Sequence, residues 1–410
     1  MKIDLIHYSA PPVVGGVESV IAHHARLMTG AGHAVRILAG RGESFDARIP
    51  ILHLPLVNSR HPDILATKQE LDRGRVPEQF EKLRAQLLSE IKGMTSETDI
   101  LFAHNVCSLN KNLPLTAALY ELYQSNASLH MILWHHDLAW TTPRYRLELH
   151  PGYPWDLLRC DWPGTTQVVV SALRQQEITG LFGVPAERVV VVPNGVDLPG
   201  FLKLESQTVA LISRLDLLNA EPLLLLPVRI TPRKNIELAL RTLAALQTSY
   251  PLARLVVSGP LGPHNPTNVH YFNELCTLRE ELGLIGSVFF LAEISPDYLP
   301  DAVIADFFHL SDALILPSRE EGFGIPILEA GLAGLPIFCA DIPPLRELAG
   351  EYGVYFDPDA EPEAVAVEIE DVFSSSPVYP MRVKVRTQYT WGRVYSEHIA
   401  PLLAPWRKLG

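Results

Sequence analysis

No apolar stretch of this chain approaches the ~20 residues of a transmembrane helix, so the sequence predicts no membrane span. Cysteine is scarce: Cys107, Cys160, Cys276 and Cys339 lie far apart with no paired spacing. That excludes a disulfide framework or a zinc site and reads as reduced thiols of a cytoplasmic protein. Positive charge is not in excess. A formal net charge of −12 argues against nucleic acid and against an anionic membrane surface as main partner, though it allows a local basic patch. The G-x-G-x-x-G spacing of a nicotinamide-binding turn is absent, which ranks a dehydrogenase last. No Ser–His–Asp grouping, fixed-period repeat or low-complexity segment stands out. The opening MKIDLIHY has an early aspartate and no apolar signal core, so it reads as a first strand.

What is present describes a globular α/β protein. With 410 residues the chain is too long for one ordinary core and fits two domains. A 47% hydrophobic content beside 20% charged residues suits soluble domains, and 34 prolines suggest stiffened loops. Short apolar runs alternate with helical patterns, which implies βαβ units and parallel sheets. Strands are expected at Ile3–Ile6, Val35–Leu38, Ile100–Ala103, Met131–Trp134, Val168–Val170 and Val189–Val192. A second set follows at Leu223–Val228, Leu255–Val257, Val288–Leu291 and Ala313–Leu316. Glu78–Ile91 reads as a helix covering a sheet, and Trp391–Leu403 as a terminal amphipathic helix. The expected division is residues 1–205, 206–385 and a closing segment 386–410.

The stretch 312–334, DALILPSREEGFGIPILEAGLAG, concentrates the chemistry. A buried strand ends at Pro317, a glycine-containing loop follows, and Pro326 suits the first position of a helix. Glu321 and Glu329 stand eight residues apart, the second expected in the helix's first turn. A helix N-terminus offers free N–H groups to anions, and carboxylates accept hydrogen bonds from hydroxyls. Together they suit a nucleotide-sugar. Other polar residues also follow strands: Arg229 and Lys234, then Ser258–Gly259. In the first half Gly15–Gly16, His104, His136 and Ser171 do the same. Ligands of open parallel sheets bind at the carboxyl ends of the strands, so each set should gather on one edge.

The 321–329 segment resembles the E-x7-E motif of retaining GT-B glycosyltransferases, in particular family 4. PNGVD (Pro193–Asp197) resembles that family's end of the first domain, and RITPRKN its diphosphate grip. The resemblance implies two Rossmann-like, doubly wound parallel-sheet domains facing an interdomain cleft. It implies an N-terminal acceptor domain, a C-terminal donor domain, and a last helix packed back on the first domain. Arg229 and Lys234 would hold the diphosphate, Glu321 the donor sugar and Glu329 the ribose. Backbone at Phe323, Gly324 and Ile325, with Gly16, Ser258 and Gly259, would line the donor. Gly15, Glu18, His104 and His135 are acceptor-side candidates. WHHDL resembles a His-Asp pair near the sugar, with His136 the better match and His135 the alternative. Val228 and Asn235 stand where the family often has glycine, and Arg233 is a third cation without an assigned role.

The implied activity is transfer of a hexose from a UDP-, GDP- or ADP-sugar to an acceptor hydroxyl, with retained anomeric configuration and neither metal nor cofactor. The acidic balance favours a soluble polyol, hydroxy acid or saccharide acceptor over a lipid. A sugar phosphorylase of the same fold and a non-catalytic sugar-nucleotide-binding protein are the alternatives. Lys234→Ala is expected to lose turnover with little loss of fold.

Overall fold

The computed structural model describes residues 1–13, 15–261, 266–295 and 298–404. It divides into two compact units, Met1–Gly195 with Trp391–Gly410, and Val196–Thr390. The first change of unit thus falls ten residues before the expected 205, and the chain returns at Trp391 rather than 386; residues 405–410 of the closing segment lie outside the described residues.

The first unit holds β1 (Lys2–His7), β2 (Ala34–Ala39), β3 (Ile51–His53), β4 (Ile100–His104), β5 (His130–His135), β6 (Thr166–Val169) and β7 (Val189–Val191). All pair in parallel, in the order β3-β2-β1-β4-β5-β6-β7. Parallel strands buried on both faces need apolar side chains throughout, and β4 and β5 are buried along their whole length. The helical segment Trp391–Val394, a wide turn at Tyr395–Ile399 and Ala400–Leu403 complete this unit. Trp391, Val394, Ile399 and Leu403 are buried in one cluster with Ile3, Leu5, Phe102 and Trp134.

The second unit holds β8 (Leu223–Leu226), β9 (Arg254–Val257), β10 (Val288–Phe290), β11 (Ala313–Leu316), β12 (Ile337–Ala340) and β13 (Gly353–Phe356), again all parallel, in the order β10-β9-β8-β11-β12-β13. The expected strand to Val228 stops at Leu226, because Pro227 has no N–H to continue a ladder. In both sheets the strand order reverses beside the first strand, between β1 and β4 and between β8 and β11. Those reversals open crevices at the strands' carboxyl ends. No described helix is long and apolar enough to cross a membrane.

A buried ion pair braces the opposite edge of the second sheet. Asp312, just before β11, accepts from Arg386 at 2.8 and 3.1 Å and from the Leu223 backbone N–H at 2.8 Å. Arg386 also donates to the Ala220 carbonyl at 2.6 Å. The two side chains are 0% and 4% exposed, so removing one strands a charge without solvent. Asp312→Ala is expected to destabilise the second unit by about 3–5 kcal/mol, measured by denaturant unfolding.

Candidate functional site in each unit

The second unit carries a pocket of about 700 Å³ at the carboxyl ends of β8 and β9, walled by helices Asp301–Leu310 and Ile325–Ala333. Arg229, Ser258, Gly259, Ile325 and Glu329 line it together. Ser258 is buried and its hydroxyl has no partner among the described residues, so it lacks there the hydrogen bond a buried polar group ordinarily makes. Gly259 is required by space: a Cβ there would lie 1.9 Å from the Val228 carbonyl oxygen. The backbone that carries Arg229 can therefore pass directly over Gly259.

Lys234 and Glu321 do not line this pocket. They bond to each other at the β8/β11 reversal, with side chains only 10% and 8% exposed. Ser318 donates to the same carboxylate at 2.8 Å. Asn235 explains how Lys234 gets there. Its backbone is left-handed, with φ of 52°, a conformation asparagine tolerates better than most residues. Its side chain donates to the carbonyls of Pro317 (3.1 Å) and Pro358 (2.8 Å). The turn bearing Arg233 and Lys234 is thus tied to the loop bearing Glu321, and Arg233 itself donates to the Glu320 carbonyl at 3.2 Å.

The helix after that loop begins at Ile325, with Gly324 as its left-handed cap (φ 101°) and no side chain capping it. Phe323 and Ile325 are exposed, while Gly324 is buried. Glu329 accordingly sits just beyond the first turn rather than in it. Its carboxyl is raised above the ordinary value by partial desolvation and by the nearby charge of Asp301. Tyr298 and Asp301 also line the pocket, and the tyrosine donates to Asp301 at 2.7 Å. Sequence reasoning missed both, since neither belongs to a motif. It also overlooked the Asp357-Pro358-Asp359 triplet, which has the Asp-x-Asp spacing of a metal-binding motif. Here Asp357 accepts from the Asp359 backbone N–H at 2.8 Å and Asp359 pairs with Arg319, which makes a turn.

In the first unit the β1/β4 reversal gathers histidines. His7, at the end of β1, bonds to the His104 carbonyl at 2.7 Å, so its Nδ1 carries the proton. His104 meets His136 at 3.5 Å and packs, with its ring tilted, against Trp134 and His24. Glu18 folds back over Gly15, accepts from Ser9 at 2.5 Å, and lies 3.9 Å from His7. Gly16 starts the following helix. His135 does not join them. It is still in the strand, so it points to the other face. There it is buried against Phe182 and bonds to Gln167 at 2.8 Å. Ser171 caps helix Ala172–Phe182. His7 was also missed, because only the strand order brings it beside His104.

Burial lowers the pKa of His7 and His135 to about 4 and of His24 and His136 to about 3; His104 also falls. All are neutral at pH 7.

Residues 212–388 match the family model for glycosyl transferases group 1, and residues 14–199 that for glycosyltransferase family 4. The chain belongs to the family 4-like glycosyltransferases of GT-B fold. This glycosyltransferase is 24% identical to a mannosylglucosylglycerate synthase of Petrotoga mobilis over 84% of its own length and 83% of that protein's. It is 29% identical to a D-inositol 3-phosphate glycosyltransferase of Nocardia farcinica over 43% of its length and 37% of that protein's. A solved glycosyltransferase from Rickettsia africae covers 99% of both chains at 16% identity, with a TM-score of 0.38.

Two measurements test these sites. Unlike the expectation from sequence, Lys234→Ala should also cost about 3–5 kcal/mol, because Glu321 is left buried without its cation. Adding Glu321→Gln should recover most of that stability but not turnover, as urea unfolding and activity would show. For the histidines the sign is set by the depressed values. Below pH ~6.5 the unfolded chain binds protons that the folded chain refuses until about pH 3–4. Stability should fall across that window, by up to about 1.4 kcal/mol per pH unit per histidine. His24, fully buried with neither ring nitrogen partnered among the described residues, is the cleanest probe. His24→Phe should flatten the pH dependence in unfolding experiments at pH 7 and pH 5.

Proposed function

We propose that this glycosyltransferase moves a hexose from a nucleoside-diphosphate sugar to a hydroxyl of a small soluble acceptor, retaining the anomeric configuration, with no metal or cofactor. The observation that carries the reading is the pocket of Arg229, the unpartnered Ser258 hydroxyl and Glu329, on the sheet edge that also holds Lys234 and Glu321. Arg229 faces the diphosphate. An ammonium has three donors, so Lys234 can keep Glu321 and still serve a phosphate oxygen. Glu329 takes the ribose hydroxyls, and Glu321 those of the sugar. The N-terminus of helix Ile325–Ala333 adds N–H groups and a positive dipole end.

In this reaction the bond from the anomeric carbon to the β-phosphate oxygen breaks and its electron pair stays on the diphosphate. The two cations stabilise the charge that builds there. The acceptor oxygen bonds to the same face of the carbon, and its proton goes to the departing phosphate oxygen. No protein nucleophile is required. His136 is assigned a contact with the transferred sugar, and its neutral ring suits a hydrogen bond rather than an ion pair. The edge with Glu18 and His104 is assigned to the acceptor. Relatives named for mannosylglucosylglycerate and for D-inositol 3-phosphate support a small hydroxylated acceptor. A cytoplasmic location belongs to the same reading, with four free thiols in its favour.

UDP, GDP and ADP would be compared by thermal shift, then the matching sugar nucleotides by nucleotide release. One nucleoside diphosphate should stabilise the protein. Arg229→Ala should weaken that shift and lower kcat by about 10²–10³. An unchanged Arg229→Ala enzyme, or no stabilisation by any nucleotide, would sink the proposal.

A further inference from the structure

The first unit's sheet edge holds cations that nothing above uses. We propose that the acceptor carries an anionic group, a carboxylate or a phosphate, and that Lys111, Arg60 and Arg144 receive it; this rests on the sugar-transfer reading and names its acceptor class.

Three loops bring these residues to one place, and hydrogen bonds lock the loops together. Asn112, next to Lys111, donates to the carbonyls of Leu56 at 2.9 Å and Val57 at 3.3 Å, on the segment that leads to Arg60. The Asn105 side chain accepts from the backbone N–H groups of His136 and Asp137, both at 3.0 Å. The Ala139 N–H donates to the Ser108 carbonyl at 2.9 Å, which joins the loop after β5 to the loop after β4. Arg144 belongs to that loop and lies 3.8 Å from Asp137.

The charges there do not cancel. Asp137 is shared between Arg144 and Arg174, at 3.8 and 3.4 Å. Glu18 is held by Ser9 and faces His7. Among the described residues no ion pair or hydrogen bond engages the side chain of Lys111 or of Arg60. Lys111 is half-buried, and burial, Arg144 and Arg60 lower its pKa while Asp137 and Glu18 oppose them. A partly desolvated cation beside other cations is unfavourable until an anion arrives. The neighbouring histidines are neutral and do not compete for it. In a chain of net charge −12, this is a local reversal of sign.

The test uses the full-length protein with its preferred nucleoside diphosphate saturating, so that phosphate probes do not report on Arg229. Calorimetry would compare D-glycerate with glycerol, and myo-inositol 1-phosphate with myo-inositol. In at least one pair the anion should bind tenfold or more tightly than its neutral partner, and the pair concerned separates carboxylate from phosphate. Lys111→Met should weaken that anion at least tenfold and leave nucleotide affinity and the neutral probe unchanged. Arg60→Gln, at an exposed position, should act in the same direction if Lys111→Met does not fold. Equal binding of charged and neutral partners, or no binding of either, overturns the proposal. So does Lys111-dependent sedimentation with phosphatidylglycerol vesicles, which would move the cluster to a lipid headgroup. Failure of every nucleotide to bind would overturn the donor reading alone, since the acceptor pairs can then be titrated without it.

Discussion

A single buried contact, Lys234 against Glu321, joins the two loops that flank the strand-order reversal of the second unit. The first loop leaves β8 and the second leaves β11, and these strands are neighbours only because the strand order reverses between them. The contact is possible because Asn235 turns the chain through a left-handed conformation and fastens the turn to two carbonyls. Burial makes the pair sensitive: each charge is tolerable because the other is present. In the proposed reaction the same contact holds a cation where leaving-group charge would develop, so that local stability and catalytic electrostatics would both rest on one pair of atoms.

The two units reach a similar arrangement by different chemistry. In the second, the strand-order reversal is filled by opposite charges and opens beside a pocket lined by Arg229 and Glu329. In the first, it is filled by imidazoles that burial keeps uncharged, with Glu18 turned back onto Ser9. Charge in that unit lies farther out, on loops, as Lys111, Arg60 and Arg144. Under the proposed reading, neutral groups near the transferred sugar and charged groups farther out suit an acceptor hydroxyl whose substrate is held by its own anionic group.

Much of this was legible in the sequence, and the reasons for the rest are physical. Long apolar runs such as Met131–Trp134 and Leu223–Leu226 announce strands covered on both faces. Ile51–His53 does not, being three residues between prolines with no fully buried side chain. Gly353–Phe356 opens on a glycine and is only partly buried, so its pattern is weak. Ile337–Ala340 is an apolar run that sequence reasoning passed over. Glu321, Glu329, Arg229 and Lys234 could be singled out because they sit in compact motifs. His7, Tyr298, Asp301 and Lys111 could not, because what brings each to its neighbours is strand order. Where sequence named two adjacent histidines, the alternation of side chains along β5 separates them: His135 belongs to the packing against Gln167, and His136 to the edge.

The return of the chain at Trp391 bears on how the molecule is made. Its second unit is one uninterrupted stretch and can fold once that stretch has left the ribosome. The earlier-synthesised unit must wait, because Trp391, Val394, Ile399 and Leu403 fill its interior beside strands made first. Until then the face around Phe102 and Trp134 is covered only in part, by Val20, Ile21, Ala25 and Met28 of the helix Gly16–Gly30, and incompletely covered apolar surface invites chaperones and aggregation. Birth order and completion order therefore run in opposite directions, and a chain cut short before Trp391 leaves its first-made unit without these side chains.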